Sequence, residues 1–275
     1  MTTTSLVSVI IPVYNGAHYI AEAVNSILNQ TYQNLELIVL DNGSTDRTAD
    51  ILNTLAQQDS RLSVLFHPTP LGHAGEAASN LASREAKGKY IAKLDADDVA
   101  LPDRIAKQVA FLENHADIFL VGSYLEVIDT NGQKIGIRKY PLNHQAIYRE
   151  FYLRFPVANP AIMYRSGIVK GDFYILREKL FTDDYFSLFV YAHRGLQLAN
   201  IPECLTRYRI HSTNTVFTNI REKWKVNRKV KRTFVEDYHY KPIIYHRIIV
   251  GLQDFAIRFL PTRLLLFLFK LRNFK

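Results

Sequence analysis

A single cysteine, Cys204, stands among 275 residues. An intrachain disulfide is therefore excluded, which fits a reducing compartment. No apolar stretch approaches the ~20 residues that a membrane span needs. The longest late one is LLLFLF at 264–269. The opening MTTTSLVSVIIPVYNG has no basic region ahead of its apolar run, so no signal peptide is read there. Neither G-x-G-x-x-G nor G-x-x-x-x-G-K-[ST] occurs, so a bound nucleotide would rest its phosphates on neither glycine loop. The nine histidines form no close-spaced zinc pattern, and the serine elbow G-x-S-x-G is missing.

Hydrophobic residues make up 48% of the chain, enough for one sizeable core or one domain with an appendage. The net charge of +8 is uneven. Residues 201–275 hold 16 Lys and Arg against 5 Asp and Glu, while the first 200 hold 18 against 21. A near-neutral body with a basic tail suggests an anionic partner for the tail, either membrane or nucleic acid.

Apolar, β-branched runs at 6–14, 35–41, 61–67 and 88–95 read as buried strands. Between them, apolar residues recur at helical spacing: Ile20, Val24, Ile27 and Leu28, then Leu52, Leu55 and Ala56, then a segment at about 74–87. Pro102 suits the first turn of a further helix bearing Ile105, Val109 and Leu112. Strands at 117–129 and 134–140 flank a TNG turn. Residues 159–165 and 196–211 look extended, and 182–195 helical. Alternating strands and helices predict an α/β fold, a Rossmann-like mostly parallel sheet with helices on both faces.

In such sheets ligands bind beyond the carboxyl ends of the strands. Tyr14, the pair Asp41 and Asn42, and the cluster Asp95 to Asp98 each fall at such an end. Tyr14 can stack on a nucleobase while Asp41 and Asn42 hydrogen-bond its edge. An Asn-Gly turn with Ser44 or Asp46 capping the next helix accounts for the same residues, and the two uses are compatible. The carboxylates of KLDADD repel one another by roughly 3 kcal/mol per pair at ~5 Å and an effective dielectric of ~20. A helix N-terminus near Pro102 could offset that, or a divalent cation. Convergence of three strand ends favours the cation, and hard oxygen donors suit Mg²⁺ or Mn²⁺. Asp183 and Asp184 open an apolar helix, either as acids favoured by its dipole or as a general base facing the sheet edge. Arg207, Arg209 and His211 alternate along an extended segment and could together contact a diphosphate.

The segments VSVIIPVYNG through LDNGSTDRT, GKYIAKLDADDVALPDRI, TDDYFSLFV and YRIHS resemble, in order, the motifs of family 2 glycosyltransferases of the GT-A fold, over about residues 5–215. The resemblance implies inverting transfer of a sugar from a nucleotide-sugar, most often with Mn²⁺ or Mg²⁺, to an acceptor hydroxyl. It implies that Pro12, Tyr14 and Asn15 line the base pocket, and that Asp41, Asn42 and Ser44 meet the base or ribose. Asp95 becomes the ribose or metal-side acid, with Ala96 beside it, and Asp97 the best metal ligand. Asp184 becomes the catalytic base, with Asp183 at the position where the family has Glu. Arg209 and His211 fall near the diphosphate or the metal. Two departures stand out: Asn42 replaces a second Asp, and Ser79 precedes Asn80 where the family often has Arg. UDP is the expected nucleotide, and the assembly of surface polysaccharide or lipid-linked glycan the expected setting.

Two rival classes remain. A sugar-phosphate nucleotidyltransferase also uses acids and a metal on an α/β sheet, but it releases pyrophosphate. A nucleic-acid-binding module would use REKWKVNRKVKR at 221–232 with Trp224. Apolar segments continuing beyond that run suit a bilayer better, so no nucleic acid is expected. The division expected is a catalytic domain over 1–215 and a basic helical extension over 216–275. Ile244, Ile248, Leu252, Phe255 and Phe259 form one helical stripe, with Arg247, Asp254 and Arg258 off it. Such a helix lies on an anionic membrane surface, here the inner face reached from the cytoplasm, unless the stripe packs on the body or on a second copy.

Overall fold

The computed structural model describes residues 4–177, 182–211, 220–261 and 264–265. Strand β1 (Val7–Val13) is the centre of its parallel half. Its residues alternate as a two-sided buried strand must. Val7, Val9, Ile11 and Val13 enter one core with α1 (Ile20–Leu28), α2 (Thr48–Ala56) and α4 (Arg104–Asn114). Ile10 enters the opposite core with α3 (Glu76–Arg84) and α6 (Asp183–His193). Each aliphatic side chain so buried contributes roughly 1.5–3 kcal/mol relative to exposure.

β2 (Leu35–Asp41), β3 (Leu62–Phe66) and β4 (Tyr90–Lys93) complete the parallel half, in the order β3-β2-β1-β4. The chain thus steps outward from β1 to β3 and returns to β4 on the other side of β1. This reversal opens a crevice at the strands' carboxyl ends, where ligands of open α/β sheets sit. Gly88 permits the entry into β4: a Cβ there would stand 2.5 Å from the Ser8 nitrogen, whereas its N–H donates to Ser8 Oγ at 2.8 Å.

Beyond β4 the sheet turns mixed. β8 (Met163–Arg165) pairs antiparallel with β4 and with β6 (Ile118–Ile128). β9 (Gln197–Arg209) runs parallel to β6 along ten paired positions and carries the short β5 (Val99–Ala100), while β7 (Lys134–Arg138) pairs with β6 across the expected turn. Most of the sheet's register is parallel, as the sequence predicts. The sequence reading misses β5, which is too short for periodicity, and α5 (His144–Glu150). The start of α5 is signalled by Asn143, whose Oδ1 accepts the Ala146 N–H at 3.0 Å.

The basic tail begins with α7 (Ile220–Glu236), followed by α8 (Ile244–Phe259). The boundary expected between 215 and 216 lies outside the described residues. α7 shares the body's core: Phe234 is fully buried and stacks on Phe189 of α6, ring centroids 3.6 Å apart. α8 is tied to α7 through Asp254, which accepts from Trp224 Nε1 at 2.6 Å and pairs with Arg228 at 2.9 Å. The stripe Ile244, Ile248, Leu252, Phe255 and Phe259 faces outward, each residue 55–71% exposed, so it does not pack back on the body. Among the described residues, no helix is long and apolar enough to cross a membrane.

Candidate active site

The ends of β1 and β2 are pinned together by side chains that sequence reasoning assigned to ligand. Val13 pairs with Asp41 in the ladder. Asn15, at φ 51°, accepts the Thr45 N–H on its Oδ1 at 2.8 Å, and its own N–H donates to Ser44 Oγ at 2.9 Å. Asp41 is buried and accepts the Ser44 N–H at 2.9 Å; Asn42 accepts the Leu71 N–H at 2.9 Å. The N-cap of α2 is Arg47, without a side-chain cap, so neither Ser44 nor Asp46 is the cap expected; Asp46, one residue before it, accepts the Thr48 N–H at 3.0 Å and the Ala17 N–H at 3.1 Å and so braces the loop. Tyr14 projects from this braced edge with half its surface exposed.

One cavity of about 1790 Å³ runs past this edge. The ends of β1 and β2 give it Pro12, Tyr14, Asn15 and Asn42, the segment after β4 gives it an acidic floor of Asp95, Ala96 and Asp97, and His211 and Asp184 also line it. Four expected site residues stand off its surface. Asp41 and Ser44 brace the loop from behind. Asp183 is 1% exposed, with one oxygen accepting the Arg177 N–H at 3.1 Å and the other 2.6 Å from His73 Nδ1. Arg209 is buried, donating to the Asp97 carbonyl at 2.9 Å, pairing with Glu22 at 2.6 Å and lying over the Tyr19 ring. It reaches the site through the backbone of Asp97, not through a side chain opening on the cavity. Arg207 pairs with Glu126 at 2.9 Å, so the expected three-residue face is divided.

Asp184 keeps one edge open to the cavity while its Oδ1 accepts the Tyr185 N–H at 2.6 Å. Burial pushes its carboxyl up to about 6, partly opposed by that N–H and by Lys93. Asp98 is fully buried; burial and then Asp97 and Asp95 raise it, and its Oδ1 accepts the Arg209 N–H at 2.9 Å. Of the acidic cluster, Asp97 and Asp95 therefore face the cavity, and Asp98 is the member that anchors the loop.

Three residues of the site escaped the sequence reading. Lys93 is buried at the end of β4, ion-paired with Asp95. Burial opposes its charge, but Asp95, Glu76 and Asp184 outweigh it and hold the ammonium above its ordinary value. A lysine inside an apolar strand was the available signal. Glu76 opens α3, 6% exposed, with Oε2 lacking a hydrogen-bond partner among the described residues; burial and then Asp184 raise it well above the usual carboxylate range. His73 lies in a run of four residues at positive φ, Gly72 to Gly75, at 76°, 54°, 48° and 100°. The two non-glycines store about 1–2 kcal/mol each. The His73–Asp183 contact ties this strained loop to the start of α6. Ser79 is fully buried, and Asn80 instead clamps Tyr174, accepting its N–H and donating to its carbonyl, both at 2.8 Å.

For a divalent cation, Asp97 Oδ2 and His211 Nε2 lie 2.8 Å apart, with Asp95 on the same floor. Among the described residues no three candidate ligands are gathered in metal-holding geometry. The residues fit a cation held by few protein donors and completed by phosphate oxygens and water, the usual arrangement for substrate-bound Mg²⁺ or Mn²⁺.

Known proteins resemble this chain in sequence and in fold. An uncharacterised glycosyltransferase of Haemophilus influenzae is 34% identical over 247 residues, 86% of this chain and 76% of that protein. The Escherichia coli UDP-Glc:alpha-D-GlcNAc-diphosphoundecaprenol beta-1,3-glucosyltransferase WfaP is 30% identical over 90% of this chain and 94% of its own. Among solved structures, the Pyrobaculum calidifontis mannosyltransferase PcManGT with GDP-Man and Mn²⁺ superposes with a TM-score of 0.62, at 18% identity, over 94% of this chain and 71% of that one. Residues 1–349 of S. aureus TarS with UDP give 0.60 at 19% identity, over 84% of this chain and 65% of that one. These likenesses establish the GT-A fold. The family profile spans residues 8–178, from β1 past the acidic floor, and with it the chain belongs to Glycosyl transferase family 2.

Proposed function

We propose that this glycosyltransferase is an inverting hexosyltransferase that takes its sugar from a UDP-linked donor and delivers it to a hydroxyl of a lipid-linked glycan acceptor. The observation that carries the reading is the shared cavity: an exposed aromatic ring, an acidic floor and a separate raised carboxyl open into one space. Tyr14 stacks on the base and Asn42 reads its edge. Asp97 and His211 would hold Mn²⁺ or Mg²⁺ against the diphosphate, the imidazole favouring Mn²⁺. Bound there, the cation supplies charge stabilisation for the departing diphosphate.

Asp184 takes the proton from the acceptor hydroxyl. As the O–H bond breaks, that oxygen bonds the anomeric carbon, and the bond to the diphosphate breaks with its electron pair leaving on phosphate. One displacement from the opposite face inverts the centre. Asp183, with both oxygens engaged, positions α6, and Lys93 holds Asp95 in place. The names of WfaP and TarS's bound UDP support the nucleotide and the acceptor class. Functionally, 1–215 is the catalytic part, and the extension over 216–275 holds it peripherally on the inner face of the membrane. The α8 stripe provides the apolar face, and Lys225, Lys229, Arg232, Arg247 and Arg258 the exposed cations that complement anionic headgroups.

The test is thermal stability of the full chain with UDP, GDP, dTDP or CMP, with and without Mn²⁺. UDP with Mn²⁺ at 100 times its Kd should stabilise by about 2.7 kcal/mol. Asp97→Ala should lose the metal-dependent part. Stabilisation by GDP alone would reassign the base. Pyrophosphate rather than UDP as the turnover product would reassign the reaction to nucleotidyl transfer.

A further inference from the structure

The cavity does not end at Asp184. It continues between Leu153 to Phe155 and the inner faces of α7 and α8, and its character reverses on the way. The near part carries every acid that lines it: Glu76, Asp95, Asp97 and Asp184. The far part is lined by Lys223, by Lys231, which donates to the Leu153 carbonyl at 3.2 Å, and by Arg154, which pairs with Glu150 at 2.9 Å; no acid lines it, and Phe155, Val226 and Ile257 give it apolar surfaces. One elongated space thus has an acidic end, suited to a metal–diphosphate, and a cationic, apolar-walled end.

Lys223 is the telling residue of the far end. It is half-buried, and no hydrogen bond, ion pair or ring contact engages its ammonium among the described residues. Its neighbours differ: Lys225 pairs with Glu222 and Arg228 with Asp254. Burial alone pushes the Lys223 ammonium down to about 8. A desolvated cation without a counter-charge is unfavourable, and an anion arriving beside it removes that penalty. The same helices carry the apolar stripe of α8 on their outer side. A ligand matching this end therefore has an anionic group next to an apolar chain, and a hydroxyl that reaches Asp184.

We propose that the far end of the cavity is an acceptor subsite in which Lys223 binds the phosphate of a long-chain phosphate or diphosphate ester. This rests on the glycosyltransferase reading above and names the part of the acceptor that the enzyme grips. The phosphate sits at Lys223, with Arg154 at the rim, and the first apolar units of the chain lie along Val226 and Ile257 toward α8. The sugar on the phosphate is thereby held across the cavity from the donor. Neutral glycans are poor acceptors, because they leave the ammonium uncompensated.

The test is calorimetric titration of the full chain with farnesyl diphosphate, the donor end being blocked by saturating UDP and Mn²⁺. Farnesol and inorganic pyrophosphate are titrated in parallel. Farnesyl diphosphate should bind more tightly than either, and Lys223→Gln and Lys223→Ala should each weaken it at least tenfold. Both variants should bind UDP with Mn²⁺ as the wild type does, which reports on the donor end by itself. Equal affinity for farnesyl diphosphate in folded Lys223 variants overturns the proposal. Binding of pyrophosphate as tight as farnesyl diphosphate also overturns it, marking a free-phosphate site. Failure of UDP to bind at all would instead count against the nucleotide reading.

Discussion

Asp184 holds a carboxyl that titrates near pH 6 because its desolvated anion is poorly compensated. The raised value has two consequences of opposite sign. As a base, Asp184 is competent only when ionised, so turnover should fall as pH drops through about 6. For folding, a carboxyl whose native value is raised stabilises the protein below its unfolded value, and that contribution is lost as pH climbs through 6. Asp184→Asn should therefore lower transfer by about 10²-fold or more while leaving UDP binding intact. At pH 8 the variant should be more stable than the wild type by roughly 2–3 kcal/mol, a gap that closes toward pH 4. Denaturant titration at both pH values checks this. A variant less stable than the wild type at pH 8 would mean that the anion has compensation the structure does not reveal. Residue identity alone carried much of this: a tyrosine, an amide and acids at strand ends were legible because strand polarity fixes where such ends point. Lys93 and Glu76 were not, because their roles come from burial: Lys93 is desolvated beside its neighbour Asp95, and Glu76 is buried near Asp184, far away in sequence. The engagement of Asp183 by His73 was likewise invisible, since 110 positions separate them.

At the level of elements, periodicity found the long strands and most helices, including α8, but not α7, which was read only as part of a basic helical extension, and it could not say which way the α8 stripe faces. Whether an apolar stripe is core or interface depends on what packs on its other side, here Asp254 with Trp224 and Arg228. β5 and α5 were missed for their brevity. The outward stripe makes a specific expectation. Full-length protein should float with vesicles containing anionic lipid and much less with neutral ones. Ile248→Glu combined with Leu252→Glu should abolish flotation, because both positions are more than half exposed and their replacement leaves the core untouched. Unchanged flotation of the double variant would move the contact elsewhere, and concentration-dependent self-association lost in that variant would identify a second copy as the occupant.

Across the whole molecule, the tail and the catalytic body share one apolar core through the stack of Phe234 on Phe189. Phe234→Ala should cost about 3–5 kcal/mol, far more than a contact between loosely attached parts, and should unfold the chain in a single transition seen alike by circular dichroism and by UDP binding. Two separate transitions would show that the parts fold independently. The same stack has a practical consequence for anyone wishing to shorten the chain. Cutting the chain ahead of α7 would strip Val230, Phe234 and Tyr240 from a packed aromatic cluster and lay bare Tyr185, Phe186 and Phe189 on the very helix that presents Asp184. The fragment so made would be a sticky, slackened relic of the catalyst; changes to the outer face of α8 that leave the chain whole avoid that exposure.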